Sequence, residues 1–141
     1  MTEHPLDTWH RLVRTHDPSG LDALLADDAV FHSPVVHTPQ RGRTLVARYL
    51  GAAFQVFFNS SFRYVREIIG ASDAMLEFET EIDGILVNGV DLIRWNEAGQ
   101  IVDFKVMLRP LQAIQLIHER MAVMLRRVDE GVYAEHSGGR P

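Results

Sequence analysis

Residues 75–82, Met-Leu-Glu-Phe-Glu-Thr-Glu-Ile, alternate strictly between apolar or neutral side chains and outward ones. Leu76, Phe78, Thr80 and Ile82 share one side, while Met75, Glu77, Glu79 and Glu81 share the other. Successive side chains on a strand point to opposite faces of its sheet, so this pattern predicts a strand buried on one face only. A sheet with one dry and one wet face is an antiparallel sheet far more often than a parallel one. Asp83-Gly84 follows, a residue pair favoured in two-residue hairpins, where both positions take positive φ. Residues 85–95 then predict another long strand, residues 96–99 (Asn-Glu-Ala-Gly) a second turn, and residues 100–109 a last strand. Upstream, residues 62–69 carry Phe62, Tyr64, Val65, Ile68 and Ile69 and are closed by Gly70, which predicts the first of the four long strands.

Helical spacing marks the flanks. Leu6, Trp9, Val13 and His16 recur three or four residues apart and predict an amphipathic helix over residues 6–16, broken by Pro18-Ser19-Gly20. Leu21, Leu24 and Leu25 predict a short second helix, ended by Asp27-Asp28. Residues 29–33 read as a short strand stopped by Pro34, and residues 35–42 as a loop. Leu45, Tyr49, Leu50, Ala53 and Phe57 predict a third helix over residues 43–58. Pro110 opens a last helix, striped with Leu111, Ile114, Ile117, His118, Met121 and Leu125 and running to about Arg127. Helices followed by a strand meander give an α+β domain, with the curved antiparallel sheet forming a cone that N-terminal helices and a C-terminal helix cover. One domain over residues 5–127 and a flexible tail over residues 128–141 are expected, because 141 residues build one core and no linker or repeat interrupts them.

Composition narrows the function classes. A net charge of −5 with scattered Lys and Arg argues against nucleic acid as a partner, since phosphate binding needs clustered cations. Cysteine is absent, which excludes thiolate chemistry and disulfides. The start lacks a signal peptide's pattern and no apolar run reaches the length of a membrane span, so a cytoplasmic location without membrane contact is the expectation.

Strand parity singles out one residue. If Leu76 and Phe78 face the interior, Ile93 and Trp95 on the next strand do so too, and Asp91 shares their face. On the last strand Val102, Phe104, Val106 and Leu108 fall inward. A four-residue turn over residues 96–99 would pair Trp95 with Gln100 and set Asp91 opposite Phe104. A carboxyl there, beside Phe104, Ile93, Phe78 and Trp9, loses hydration that favours its charged form, so its pKa should rise unless a cation or several donors hold the anion. Such a group either donates a hydrogen bond as an acid or takes a proton as a base. The alternative is structural: Asp91 accepts the Trp9 indole N–H or pairs with Arg109, tying sheet to helices.

The order of elements, with residues 24–31 (Leu-Leu-Ala-Asp-Asp-Ala-Val-Phe), Gly42-Arg43 and residues 90–101 (Val-Asp-Leu-Ile-Arg-Trp-Asn-Glu-Ala-Gly-Gln-Ile), resembles the nuclear transport factor 2-like superfamily, in particular its SnoaL-like branch. The resemblance spans about residues 5–125 and implies the cone fold. Members include ketosteroid isomerases, polyketide cyclases and limonene epoxide hydrolases. In the isomerases the general base is an Asp before a proline on the first strand; Ser33 stands there, before Pro34. Their oxyanion tyrosine falls at Trp9, and their second oxyanion donor, an aspartic acid held neutral by an apolar site, matches Asp91. With Ser33 in the base position, the resemblance does not imply ketosteroid isomerase activity. The epoxide hydrolases' aspartate on the last strand has no inward counterpart between Asp103 and Leu108. The cyclases' cavity aspartate or histidine leaves Asp91 and His32 as candidates.

Asp91 and His32 are thus the candidate catalytic residues, and Trp9, Phe31, Ser33, Tyr49, Phe54, Phe78, Ile93, Trp95, Phe104, Val106 and Leu108 the candidate ligand wall. Tyr64 is a further candidate, with core packing as the alternative for both tyrosines. His32 and His37 flank residues 33–36 without the spacing of a metal site, so no metal or cofactor is expected. On the outward face, Leu92 and Met107 sit among Glu77, Glu79, Glu81, Arg94 and Lys105. Exposed apolar residues on a sheet invite covering, and members of the superfamily usually dimerise through this face, so a homodimer is expected. Three readings follow: a cofactor-free isomerase, cyclase or dehydratase acting on a small apolar molecule through Asp91; a non-catalytic binder of such a molecule; or an interaction domain working through its outer sheet.

Overall fold

The computed structural model describes the backbone of residues 3–136 and the side chains of residues 3–127. Helix α1 (Pro5–Thr15) begins where the His4 ring accepts the Leu6 N–H at 3.1 Å. It buries Leu6, Trp9, Leu12 and Val13. His16 lies outside the expected stripe: it ends the helix in the left-handed region at φ 53°, its N–H returned to the last turn. After a single 3₁₀ turn and the short α2 (Leu21–Leu24), strand β1 (Leu25–His32) starts earlier than residue 29, because Leu25 and Ala26 are buried and already extended. The loop that follows holds the two-residue strand β2 (Gln40–Arg41) and leads to α3 (Arg43–Phe57).

Four long strands then form the predicted meander: β3 (Arg63–Ile69), β4 (Asp73–Ile82), β5 (Ile85–Trp95) and β6 (Ile101–Arg109). The sheet order is β2-β1-β6-β5-β4-β3, a curved sheet that does not close on itself. Every seam is antiparallel except β1–β6, which is parallel. The β4–β5 hairpin turns at Asp83 and Gly84 with φ of 52° and 78°, the two consecutive left-handed residues that a type I′ turn demands. Helix α4 (Leu111–His136) packs against α3 and β6, and Arg120 forms an ion pair with Asp83 at the hairpin. The helix continues through the expected end at Arg127; of the tail expected over residues 128–141, residues 137–141 lie outside the described residues.

Parity holds where it matters. Leu76, Phe78, Thr80 and Ile82 are each at most 7 % exposed, and on β5 Val87, Gly89, Asp91, Ile93 and Trp95 alternate as buried positions. The β5–β6 register differs from expectation. The turn closes at Asn96 and Gln100, whose backbones bond at 2.9 Å, and a bulge between Arg94 and Trp95 displaces Val102. Ile101 is therefore buried in place of Val102, and Asp91 stands opposite Val106 instead of Phe104. The later turn and the bulge each add one residue, so the face of Asp91 is unchanged.

Candidate functional site

Asp91 is 6 % exposed and is the one buried carboxyl on the inward sheet face among the described residues, where the other buried polar side chain is Thr80. Neither anticipated partner holds it. The Tyr64 hydroxyl, from β3, donates to Asp91 Oδ2 at 2.7 Å, and the Trp9 indole N–H donates in turn to Tyr64 Oη at 2.9 Å. Arg109 points instead at Asn88, with its guanidinium 3.4 Å from the amide oxygen. Trp9 thus reaches Asp91 only through the tyrosine. Burial pushes the Asp91 carboxyl up from an ordinary 3.8 to about 7, and the hydrogen bond from Tyr64 pulls it partly back. Burial, and then the adjacent carboxylate, hold the Tyr64 hydroxyl well above its ordinary 10, so it stays a donor.

The second oxygen, Oδ1, accepts no hydrogen bond among the described residues. No buried polar side-chain atom there is left unsatisfied, so this oxygen opens onto free space. That space is a cavity of about 180 Å³. Its wall is aromatic: Trp9, Phe31, Tyr49, Phe54, Phe57, Phe58, Phe62, Phe78 and Phe104, with Asp91 set among them. The rings brace one another edge to face, Trp9 against Phe104 at 4.9 Å and Phe54 at 5.6 Å, Phe57 against Phe78 at 5.7 Å, while Phe62 stacks on Phe78 at 5.2 Å. Such a wall has the shape and polarity to take a flat apolar molecule, and the single carboxyl in it could orient one polar atom there.

Of the expected wall, Trp9, Phe31, Ser33, Tyr49, Phe54, Phe78, Phe104 and Val106 line the cavity. Ile93 is sealed in the core one pair further along β5, at 1 % exposure. Trp95 lies at the far end of the strand against the His4 ring. Leu108 packs over Gly89, whose missing side chain makes room for it. His32 follows inward Phe31 on β1, so alternation sends it to the opposite face, where its Nε2 lies 3.2 Å from Asp103 Oδ2; it borders a shallow outer cleft with His37 and Lys105 and does not reach the cavity. Ser33 Oγ accepts the Val35 N–H at 3.1 Å.

Residues not anticipated complete the site. Phe57 ends α3 three residues after Phe54, and Phe58 is the extended residue that caps the helix. Ile117, His118, Met121, Ala122 and Leu125 of α4 close the other side. Tyr64's hold on Asp91 had no readable signal, because a register shift between Tyr64 and Arg66 breaks the alternation of β3. Among the described residues no group of His, Asp and Glu side chains is arranged to hold a metal ion, and no helix is long and apolar enough to cross a membrane.

A family of SnoaL-like domains matches residues 6–104. A steroid delta-isomerase from Pseudomonas aeruginosa is 37 % identical over 92 % of this chain and 93 % of its own, with a TM-score of 0.82. An uncharacterised bacterial protein with a cystatin-like fold from Silicibacter pomeroyi is 36 % identical over 84 % and 83 %, at 0.78. A nuclear transport factor 2-like protein of unknown function from Mesorhizobium loti shares the fold at 20 % identity, over 75 % and 88 %, with a TM-score of 0.66. No curated protein matches the sequence.

Proposed function

Because the chain belongs to the SnoaL-like domain family, we propose that it acts without cofactor on a small apolar carbonyl compound, as an isomerase, cyclase or dehydratase that uses Asp91. The observation that carries this reading is the Asp91 carboxyl, one oxygen tied to Tyr64 and the other turned to an aromatic cavity. With a pKa raised to about 7, the group is largely protonated in mildly acidic solution and donates to a carbonyl oxygen as charge develops there. The likeness to a steroid delta-isomerase supports proton-transfer chemistry on a ketone. Size argues for a smaller substrate than a four-ring skeleton. A cavity of about 150 Å³ holds benzene, and drug-sized ligands occupy about 300–1,000 Å³, so about 180 Å³ suits a single ring.

The test uses phenol as a binding probe for an enol and 3-cyclohexenone as a substrate probe, followed by absorbance as it converts to the conjugated 2-isomer. Asp91→Asn should retain phenol binding and lose conversion. Conversion lost by neither Asp91→Asn nor Asp91→Ala, with phenol affinity also unchanged, would remove Asp91 from the function. A non-catalytic binder is the second reading, supported by the same cavity; phenol binding that weakens about tenfold in Asp91→Ala, without any conversion by the parent chain, would favour it.

The outer sheet face supports a homodimer. Ile68 and Met107 are 58 % and 52 % exposed there, next to the half-buried Met75, Val90 and Leu92. A second copy would withdraw this surface from water.

A further inference from the structure

Isomerisation of a ketone needs two proton-handling groups, one at the oxygen and one at carbon, and Asp91 supplies the first. The end of the first strand offers no second: Ser33, which follows β1, carries only a weakly basic hydroxyl that accepts the Val35 N–H, and His32 lies on the outer face against Asp103. The other titratable side chains on the cavity wall, among the described residues, are Tyr49 and His118. A phenol is a poor base near neutral pH, whereas an imidazole takes and returns a proton there. We propose that His118 is the second catalytic residue of this cavity, moving the proton at carbon while Asp91 holds the oxygen.

Placement supports the pairing. Ile117, His118, Met121, Ala122 and Leu125 recur at three- and four-residue steps, so they form the face of α4 that closes the cavity. His118 is the polar member of that face, and as an exposed residue it stands at the mouth while Asp91 stands at the buried wall. Other histidine rings are engaged or lie elsewhere: His4 caps α1, His10 meets Glu67, His16 packs on Phe58, His32 meets Asp103, and His37 borders the outer cleft. His118 has no hydrogen bond or ion pair with any described residue, which leaves its ring nitrogens to a ligand.

This assignment rests on the carbonyl chemistry proposed for Asp91. With 3-cyclohexenone, a ring nitrogen of His118 takes a proton from the carbon between the carbonyl and the double bond. The released electron pair forms the enol double bond as the Asp91 proton passes to the oxygen. The imidazolium then returns its proton to the far carbon of the alkene, the conjugated ketone forms, and Asp91 recovers its proton. No oxidant, reductant or second substrate enters.

The experiment compares the full chain with His118→Ala, His118→Gln and Asp91→Asn, reading phenol binding and the conversion of 3-cyclohexenone. Loss of roughly 10²–10⁴ in rate is expected for both His118 variants, the usual worth of a general base, with phenol still bound. Free imidazole should restore part of the rate of His118→Ala and none of that of Asp91→Asn. Parent-like conversion by His118→Ala beside a failing Asp91→Asn overturns the role of His118 and leaves that of Asp91 standing. Failure of imidazole to rescue a folded, phenol-binding His118→Ala also overturns it. Absence of conversion by the parent chain, with phenol bound, overturns both roles.

Discussion

At the scale of single residues, the burial of Asp91 makes folding stability depend on pH. Unfolded, the carboxyl ionises near 3.8; folded, near 7. Between those values the native state binds more protons than the unfolded chain, so stability falls as pH rises from about 4 to about 7 and then levels. The shift corresponds to a cost on the order of 4 kcal/mol above pH 7. Asp91→Asn removes the ionisation, so denaturant unfolding across pH 4–8 should show that slope in the parent and a flatter profile in the variant. Tyr64→Phe acts on the same group. It deletes the one hydrogen bond that pulls the carboxyl down, so a carbon-13 NMR titration should place Asp91 above about 7. It also strands the Trp9 N–H, and the variant should lose about 1–3 kcal/mol of stability. Asp91 was legible from sequence because a carboxyl breaks the apolar parity of β5. Its hydrogen bond from Tyr64 is not, because the two residues lie two strands apart, in a register set by a bulge that leaves no mark in the amino-acid order.

At the scale of elements, β5 depends on a residue without a side chain. A methyl on Gly89 would come within 2.6 Å of Phe78 Cζ, 2.7 Å of Leu108 Cδ2 and 2.8 Å of the Met107 carbonyl oxygen. The two side chains can move, but the carbonyl belongs to the neighbouring strand. Gly89→Ala should therefore cost about 1–3 kcal/mol in urea unfolding. Phe78 is stacked on Phe62 at the cavity wall, so the same substitution should weaken phenol binding by shifting that ring, whereas an unchanged affinity would show that the wall yields without loss. The strand limits of β4 to β6 are readable because turns and side-chain patterning agree, and those of β3 because a β-rich run meets Gly70. The start of β1 and the β5–β6 register leave no such mark, since both depend on which neighbour a strand joins.

At the scale of the whole molecule, association through the outer sheet predicts that light scattering reports a dimer for the parent chain. Ile68→Arg with Met107→Arg should give a monomer that keeps phenol binding, because both residues lie on the face opposite the cavity. A parent chain that is monomeric at high concentration would leave that face simply solvated. The fold class, the succession of the helices and the long strands, and the inward direction of Asp91 follow from sequence alone, because periodicity is a property of neighbouring residues; the two-residue β2, inside a stretch that reads as a loop, does not. The partner of that carboxyl, the exclusion of His32 and Trp95 from the cavity, and the arrival of His118 from a helix at the end of the chain were decided only by the tertiary structure. Those relations join residues distant along the chain, and sheet curvature, one bulge and helix packing fix them in space.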